Sequence, residues 1–221
     1  RIFGELQGTV RFAPLSTGLL PATDLTVTGR LDLQQFNAYV PQLLPMEGSA
    51  EFGAHVRSAF GGRNPSLTGS GEIKAMEVNG FWIGTWTGDF VADPSGMDFS
   101  NVRSIWGDAD VLGHGHVDFG KDFKEVRAAF GAKGSHGSFH TGMAHIQVPG
   151  SWVEFNVDAE LEFEGTLYPE MKFTGEGDAL LTNFRVYNQD ARKARPDDVM
   201  VASGPVTGHS RMEFDFTHFS F

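Results

Sequence analysis

The sequence predicts an all-β fold, an elongated antiparallel sheet with few short helices, on three observations. Apolar and polar residues alternate with period two in several segments. Composition agrees: 28 glycines and 20 phenylalanines stand against only 3 tyrosines, and long runs of good helix formers are nearly absent. Finally, Gly, Asp and Pro punctuate the alternating segments where turns are needed.

In chain order, the first strand signal is Leu25 to Leu33. The next covers 50 to 60, where Phe52, Ala54, Val56 and Phe60 share one phase and Glu51, His55 and Arg57 the other. Strands follow at Phe81 to Ala92, Val111 to Phe119 and Met143 to Val148. The clearest signal starts at Val153: Val153, Phe155, Val157, Ala159, Leu161 and Phe163 alternate with Glu154, Asn156, Asp158, Glu160, Glu162 and Glu164. A last strand is read at Met212 to Phe216. Helix signals are two, Asp32 to Leu43, broken by Pro41, and Asp122 to Phe130, where Phe123, Val126 and Phe130 have helical spacing. The run Thr68-Gly69-Ser70-Gly71-Glu72 is echoed by Thr174-Gly175-Glu176-Gly177-Asp178, as in a sheet extended by repeated hairpins. The charged loop at 188–198, with Arg192, Lys193 and Arg195, is the expected interruption. The chain reads as one segment, 1–221, with sheet sections 1–130 and 131–221.

The 221 residues are 40% hydrophobic, enough for a sizeable apolar interior. A formal net charge of -11 would repel a phosphate backbone, which argues against nucleic acid as a partner. There is no cysteine, so disulfides and thiolate metal sites are excluded. No apolar run reaches the roughly 18 to 20 residues of a membrane-spanning helix. The start at Arg1-Ile2-Phe3 is expected of an excised piece of a longer protein, with any anchor outside it.

A sheet with one apolar face must bury it against another sheet, by curling, or against a ligand. On this point the pattern of glycines and strands is informative. The succession Thr28-Gly29-Arg30-Leu31-Asp32-Leu33, Phe36 to Leu44, Gly48 to Val78, Val78-Asn79-Gly80-Phe81-Trp82-Ile83-Gly84, the Gly88 to Phe99 hairpin and Gly113-His114-Gly115-His116-Val117 resembles the AsmA-like superfamily that includes TamB. The resemblance covers about residues 20 to 120, with a fainter second pass at 150 to 180. It implies a sheet curled lengthwise into an apolar-lined trough. It also implies a periplasmic location, anchorage in the inner membrane through another segment, and a role in phospholipid passage or outer-membrane protein assembly. Partners would be a phospholipid or other lipid and an outer-membrane barrel protein. The family pattern carries no catalytic motif, and the basic loop near Arg192 departs from it.

The residues expected to line the groove are Phe52, Val56, Phe60, Trp82, Trp86, Phe90, Val153, Phe155, Val157, Leu161 and Phe163. Trp82, Trp86 and Phe90 are four apart and are expected on one face, where they would line a lipid path or stack on a sugar. His114, His116 and Asp118 have metal-compatible spacing, but Val111, Gly113, Gly115, Val117 and Phe119 form the apolar phase, which leaves the histidines on the solvent face. His136, His140 and His145 lack the spacing of a zinc helix. The Gly131 to Gly142 run suggests a phosphate loop but lacks the Gly-Lys-Ser/Thr ending that would reach phosphates. The acidic ladder at 154–164 reads as a solvated face rather than paired catalytic carboxylates. The terminal Phe221 on a partly alternating stretch resembles a barrel sorting signal, but the acidic polar phase suits a barrel lumen poorly.

The resulting expectation is a non-catalytic lipid groove without cofactor or metal. Its rivals are a closed β-sandwich binding a glycan or other polar ligand, and a carboxylate-based polysaccharide-cleaving enzyme.

Overall fold

In the computed structural model, which describes residues 3–12, 21–35, 45–59, 65–106, 109–138, 152–187, 199–214 and 219–220, the alternating segments form the strands of a single antiparallel sheet. The strands are β1 (Phe3–Arg11), β2 (Ala22–Asp32), β3 (Met46–Ser58), β4 (Ser66–Val78), β5 (Phe81–Asp93), β6 (Gly96–Trp106), β7 (Ala109–Asp118), β8 (Val126–Ser138), β9 (Trp152–Tyr168), β10 (Lys172–Tyr187), β11 (Val199–Ser203), β12 (Val206–Phe214) and β13 (Phe219–Ser220). Each pairs with its sequence neighbour, and β11 and β12 lie end to end along the same side of β10. The order is therefore a meander, and the sheet is not closed, with β1 at one edge and β13 at the other.

Turn chemistry explains the hairpins. Asn79 and Gly80 both have positive φ, 52° and 77°, as a two-residue hairpin turn between Val78 and Phe81 requires. At the β5–β6 turn, Asp93 Oδ1 accepts hydrogen bonds from the Ser95 amide (2.7 Å), the Ser95 hydroxyl (2.5 Å) and the Gly96 amide (3.3 Å). These bonds hold its carboxyl below the usual Asp range, the Ser95 hydroxyl contributing most.

Positive-φ residues also sit inside strands, at Ala75, Asn101 and Asn183, each where the ladder register shifts. Such bulges bend a strand and increase its twist. The Asn101 bulge is tied down by its own side chain, whose Nδ2 donates to Asp89 Oδ2 at 2.7 Å. The sheet curls rather than stacking on a second one. Its accessible surface of 14467 Å² exceeds the roughly 10,000 Å² expected of a compact monomer of this mass.

The segment from Asp122 to Phe130 is not a helix. A 3₁₀ turn at Lys121–Phe123 leads into β8, which begins at Val126. Val126, Ala128 and Phe130 have period two as well as a helical echo, and β7 and β9 on either side supply ladder partners that a helix would forfeit. The same strand runs on through the glycine-rich residues up to Ser138. It also carries the sheet without a break across 130/131. The other helix signal begins inside β2 and continues as a 3₁₀ turn, Leu33–Gln35; its remainder lies outside the described residues. So do Phe60, the strand expected at 143–148 and the charged loop at 188–198. The described residues form one open sheet and not two separate stacked sheets.

Candidate functional site

The ladder registers align the apolar phases of successive strands into rows that cross the sheet. One row runs Leu6, Val27, Ala54, Gly69, Phe90, Phe99, Gly115, Phe130, Phe163, Gly175 and Met212, one residue from each of β1 to β10 and from β12. A second row beside it runs Gly8, Leu25, Val56, Leu67, Ala92, Met97, Val117, Ala128, Gly165, Phe173 and Phe214. Neither contains a polar side chain. With strands about 4.8 Å apart, each row extends on the order of 48 Å.

Burial is asymmetric between the two faces. Ala54, Ala92, Val111, Ala128 and Phe173 are buried and belong to the apolar phase. The opposite phase is mostly exposed. Ser104 is the buried polar residue on the apolar side, and its hydroxyl donates to the Thr85 carbonyl at 2.7 Å, so it adds no unsatisfied polarity.

Phenylalanines fill the space above glycines on neighbouring strands. Phe52 lies over Gly29, Phe90 over Gly69, Phe130 over Gly115 and Phe163 over Gly175. Ring contacts extend the coverage: Phe130 and Phe173 centroids are 6.0 Å apart and tilted, and Phe155 stacks on Phe184 at 6.0 Å and 24°. The result is a smooth apolar floor held by few fully buried side chains.

The expected lining residues are distributed over this floor. Val56 sits between Leu25 and Leu67, Phe52 between Gly29 and Gly71, and Phe90 between Gly69 and Phe99. On β9, Val157 pairs with Gly137 and Leu181, Leu161 with Ala132 and Gly177, and Phe163 with Phe130 and Gly175. Val153 is described only by its register opposite Val186. Trp86 and Phe90 share a regular stretch of the β4–β5 ladder, and the Trp86 indole donates to the Ile83 carbonyl at 3.0 Å. Trp82 does not follow from spacing alone, because the ladder is irregular between Ile73 and Glu77 and Gly84 has φ 104°. Leu25, Leu67, Met97, Phe99, Val117, Phe130 and Phe173 join the floor without having been singled out. Their signal was period two interrupted by glycines, and only pairing partners show that the glycines are covered.

The opposite face is polar, and contacts between side chains of different strands tie it together. His55 lies 2.5 Å from Asp24, His116 2.7 Å from Asp98, His209 3.0 Å from Asp178 and His114 4.0 Å from Glu162. His114 and His116 thus lie on the solvent side and face different carboxylates, Asp98 on the adjacent β6 and Glu162 on β9, reached across Gly131 of β8. Among the described residues, no three His, Asp or Glu side chains converge as metal ligands would. Lys74 reaches Glu72 at 3.0 Å and Glu51 at 3.7 Å, and the Glu72 bond above all raises its ammonium pKa. A wide, shallow depression of about 860 Å³ lies on this polar side over β1 to β6, walled by Glu5, Arg30, Glu51, Glu72 and Asp89. Glu160 faces Asp178 and Glu162 faces Glu176 across the β9–β10 ladder, like-charge pairs that are tolerated because the face is solvated.

The apolar floor offers hydrophobic contact and no ionisable group; the polar face offers solubility. Compared with family models, curated proteins and solved structures, the chain matches none.

Proposed function

We propose that this chain is a non-catalytic segment of a cell-envelope protein that carries phospholipid along its apolar floor between inner and outer membranes. In this reading it works in the periplasm of a Gram-negative-type envelope, held to the inner membrane by a segment outside this sequence. The reading takes its family resemblance, AsmA-like and TamB-type, from the glycine and strand pattern. A barrel protein undergoing outer-membrane assembly is the alternative client.

The observation that supports it is the pair of uninterrupted apolar rows reaching from β1 to β12. A lipid crossing water exposes about 16 methylenes per acyl chain, and at roughly 0.8 kcal/mol each this costs more than 10 kcal/mol. A continuous apolar surface removes much of that cost without charge or chemistry. An open sheet also lets a chain enter sideways and leaves a headgroup in water.

Lipid mass spectrometry on protein purified from a bacterial envelope without detergent tests the reading. Phospholipid at stoichiometric level, lost in a folded Phe155→Arg variant, is the expected result. Lipid-free protein from the same preparation would overturn it.

A further inference from the structure

We propose that the floor holds an acyl chain of its phospholipid lengthwise along β9, between two sets of phenylalanine rings, a placement that rests on the lipid reading above. The first set is Phe130, Phe163 and Phe173: Phe130 and Phe163 face each other across the β8–β9 ladder, and Phe130 meets Phe173 at 6.0 Å. The second is Phe155 with Phe184, stacked at 6.0 Å and 24°. On β9, Phe163 lies eight residues beyond Phe155, about 26 Å along the strand. That length takes an extended chain of about 16 methylenes with rings at either end.

Between the rings the surface is low and apolar. Gly134, Ala159 and Ala179 stand side by side on β8, β9 and β10. A Cβ built on Gly134 would meet nothing nearer than Val111 Cγ2 at 3.9 Å, whereas Gly115 and Gly175 are roofed by Phe130 and Phe163. The middle of the furrow is thus open, and its end is filled by rings. Val157 and Leu161 lie on either side of Ala159, and their ladder partners are Gly, Ala or Leu, so no ionisable side chain enters the stretch.

The backbone is bent to supply the far rings. Strict alternation from Leu181 would put Asn183 on the floor and Phe184 on the polar face. Instead the register shifts between Thr182 and Arg185, with Asn183 at φ 55°, and Phe184 turns onto the floor against Phe155. Bulges recur where a side chain has to be re-aimed towards a site. β8 shifts register at the same level, between Gly134 and Gly137 beside Val157. Laid across the strands on the row of Phe90, Phe99, Phe130 and Phe163, a chain would run over rings and meet no comparable furrow. The rows then serve passage from strand to strand, and the β9 furrow is where a chain rests.

Vesicles of palmitoyl-oleoyl phosphatidylcholine, containing phosphatidylcholine with a diazirine at mid-chain, test this on the 221-residue chain. After transfer and irradiation, peptide mass spectrometry should find the label on β8 to β10, around Gly134, Ala159 and Ala179. Ala159→Arg and Phe184→Arg should each raise the dissociation constant about tenfold or more while the far-UV circular dichroism spectrum stays that of the parent. Label spread evenly over β2 to β10 or confined to β2 to β7, or a folded Phe184→Arg chain that binds like the parent, would overturn the placement and leave the lipid reading intact. A parent chain that takes up no lipid would overturn both. The label is read on the parent chain, so that result does not depend on either variant folding.

Discussion

The ring of Phe90 occupies the space that a side chain at Gly69 would need: a Cβ built on Gly69 would stand 2.7 Å from Phe90 Cζ and 2.9 Å from Ala54 Cα. Glycine in a strand costs entropy and leaves a hole. A neighbouring phenylalanine fills the hole and gains contact with backbone that another residue would shield. The same arrangement recurs at Phe52 over Gly29, Phe130 over Gly115 and Phe163 over Gly175.

Gly69→Ala should therefore lower stability by about 1–3 kcal/mol, because the contacts on both sides include backbone and cannot all relax. Gly53→Ala, where an added Cβ meets nothing within 4 Å, should be neutral or stabilising by about 0.4–1 kcal/mol. Urea unfolding of the two variants measures the contrast. Equal effects would mean that ring-over-glycine packing is not what constrains position 69.

Phe173 is only 2% exposed and meets Phe130, whereas Phe52 is 38% exposed. Phe173→Ala should cost about 3–5 kcal/mol, and Phe52→Ala clearly less. Thermal unfolding of both decides whether an open sheet still has a localised core.

Val157 is half-buried on a floor that, among the described residues, no second sheet covers. Val157→Glu should thus leave a folded protein, with a loss of about 1–2 kcal/mol, while removing bound lipid. Circular dichroism and lipid extraction on the same sample give the two readouts. Loss of the folded spectrum at neutral pH would show that this face is closed in solution.

The Asp93 cap sets a pH dependence. Its carboxyl titrates below the ordinary value of 3.8 because the charged form accepts the Ser95 and Gly96 bonds. A depressed folded-state pKa contributes stability above the unfolded value and loses it as pH falls through the folded one. Asp93→Ala should lower the melting temperature at pH 7, and the difference from the parent should shrink steadily below pH 3.8. A difference that is constant with pH would sink the capping argument.

Several elements were legible because period two is a local signal. The β9 alternation placed Val157, Leu161 and Phe163 on one face, and the β7 alternation placed His114 and His116 opposite Val111 and Val117, as the ladders do. Strand β8 was misread in its first half because Phe123, Val126 and Phe130 satisfy a helical spacing. Its neighbours decided the matter by offering hydrogen bonds on both sides. Around Gly84 the β4–β5 ladder is irregular, so the face of Trp82 does not follow from its spacing to Trp86.

What the sequence determined by itself was the alternation, and with it the class of fold and a face for most residues, since those depend only on adjacent side chains pointing opposite ways. Register and bulges could be decided only by the tertiary structure. They depend on which residue of a distant strand stands opposite, and that pairing turns separate apolar segments into two continuous rows and lays phenylalanines over glycines.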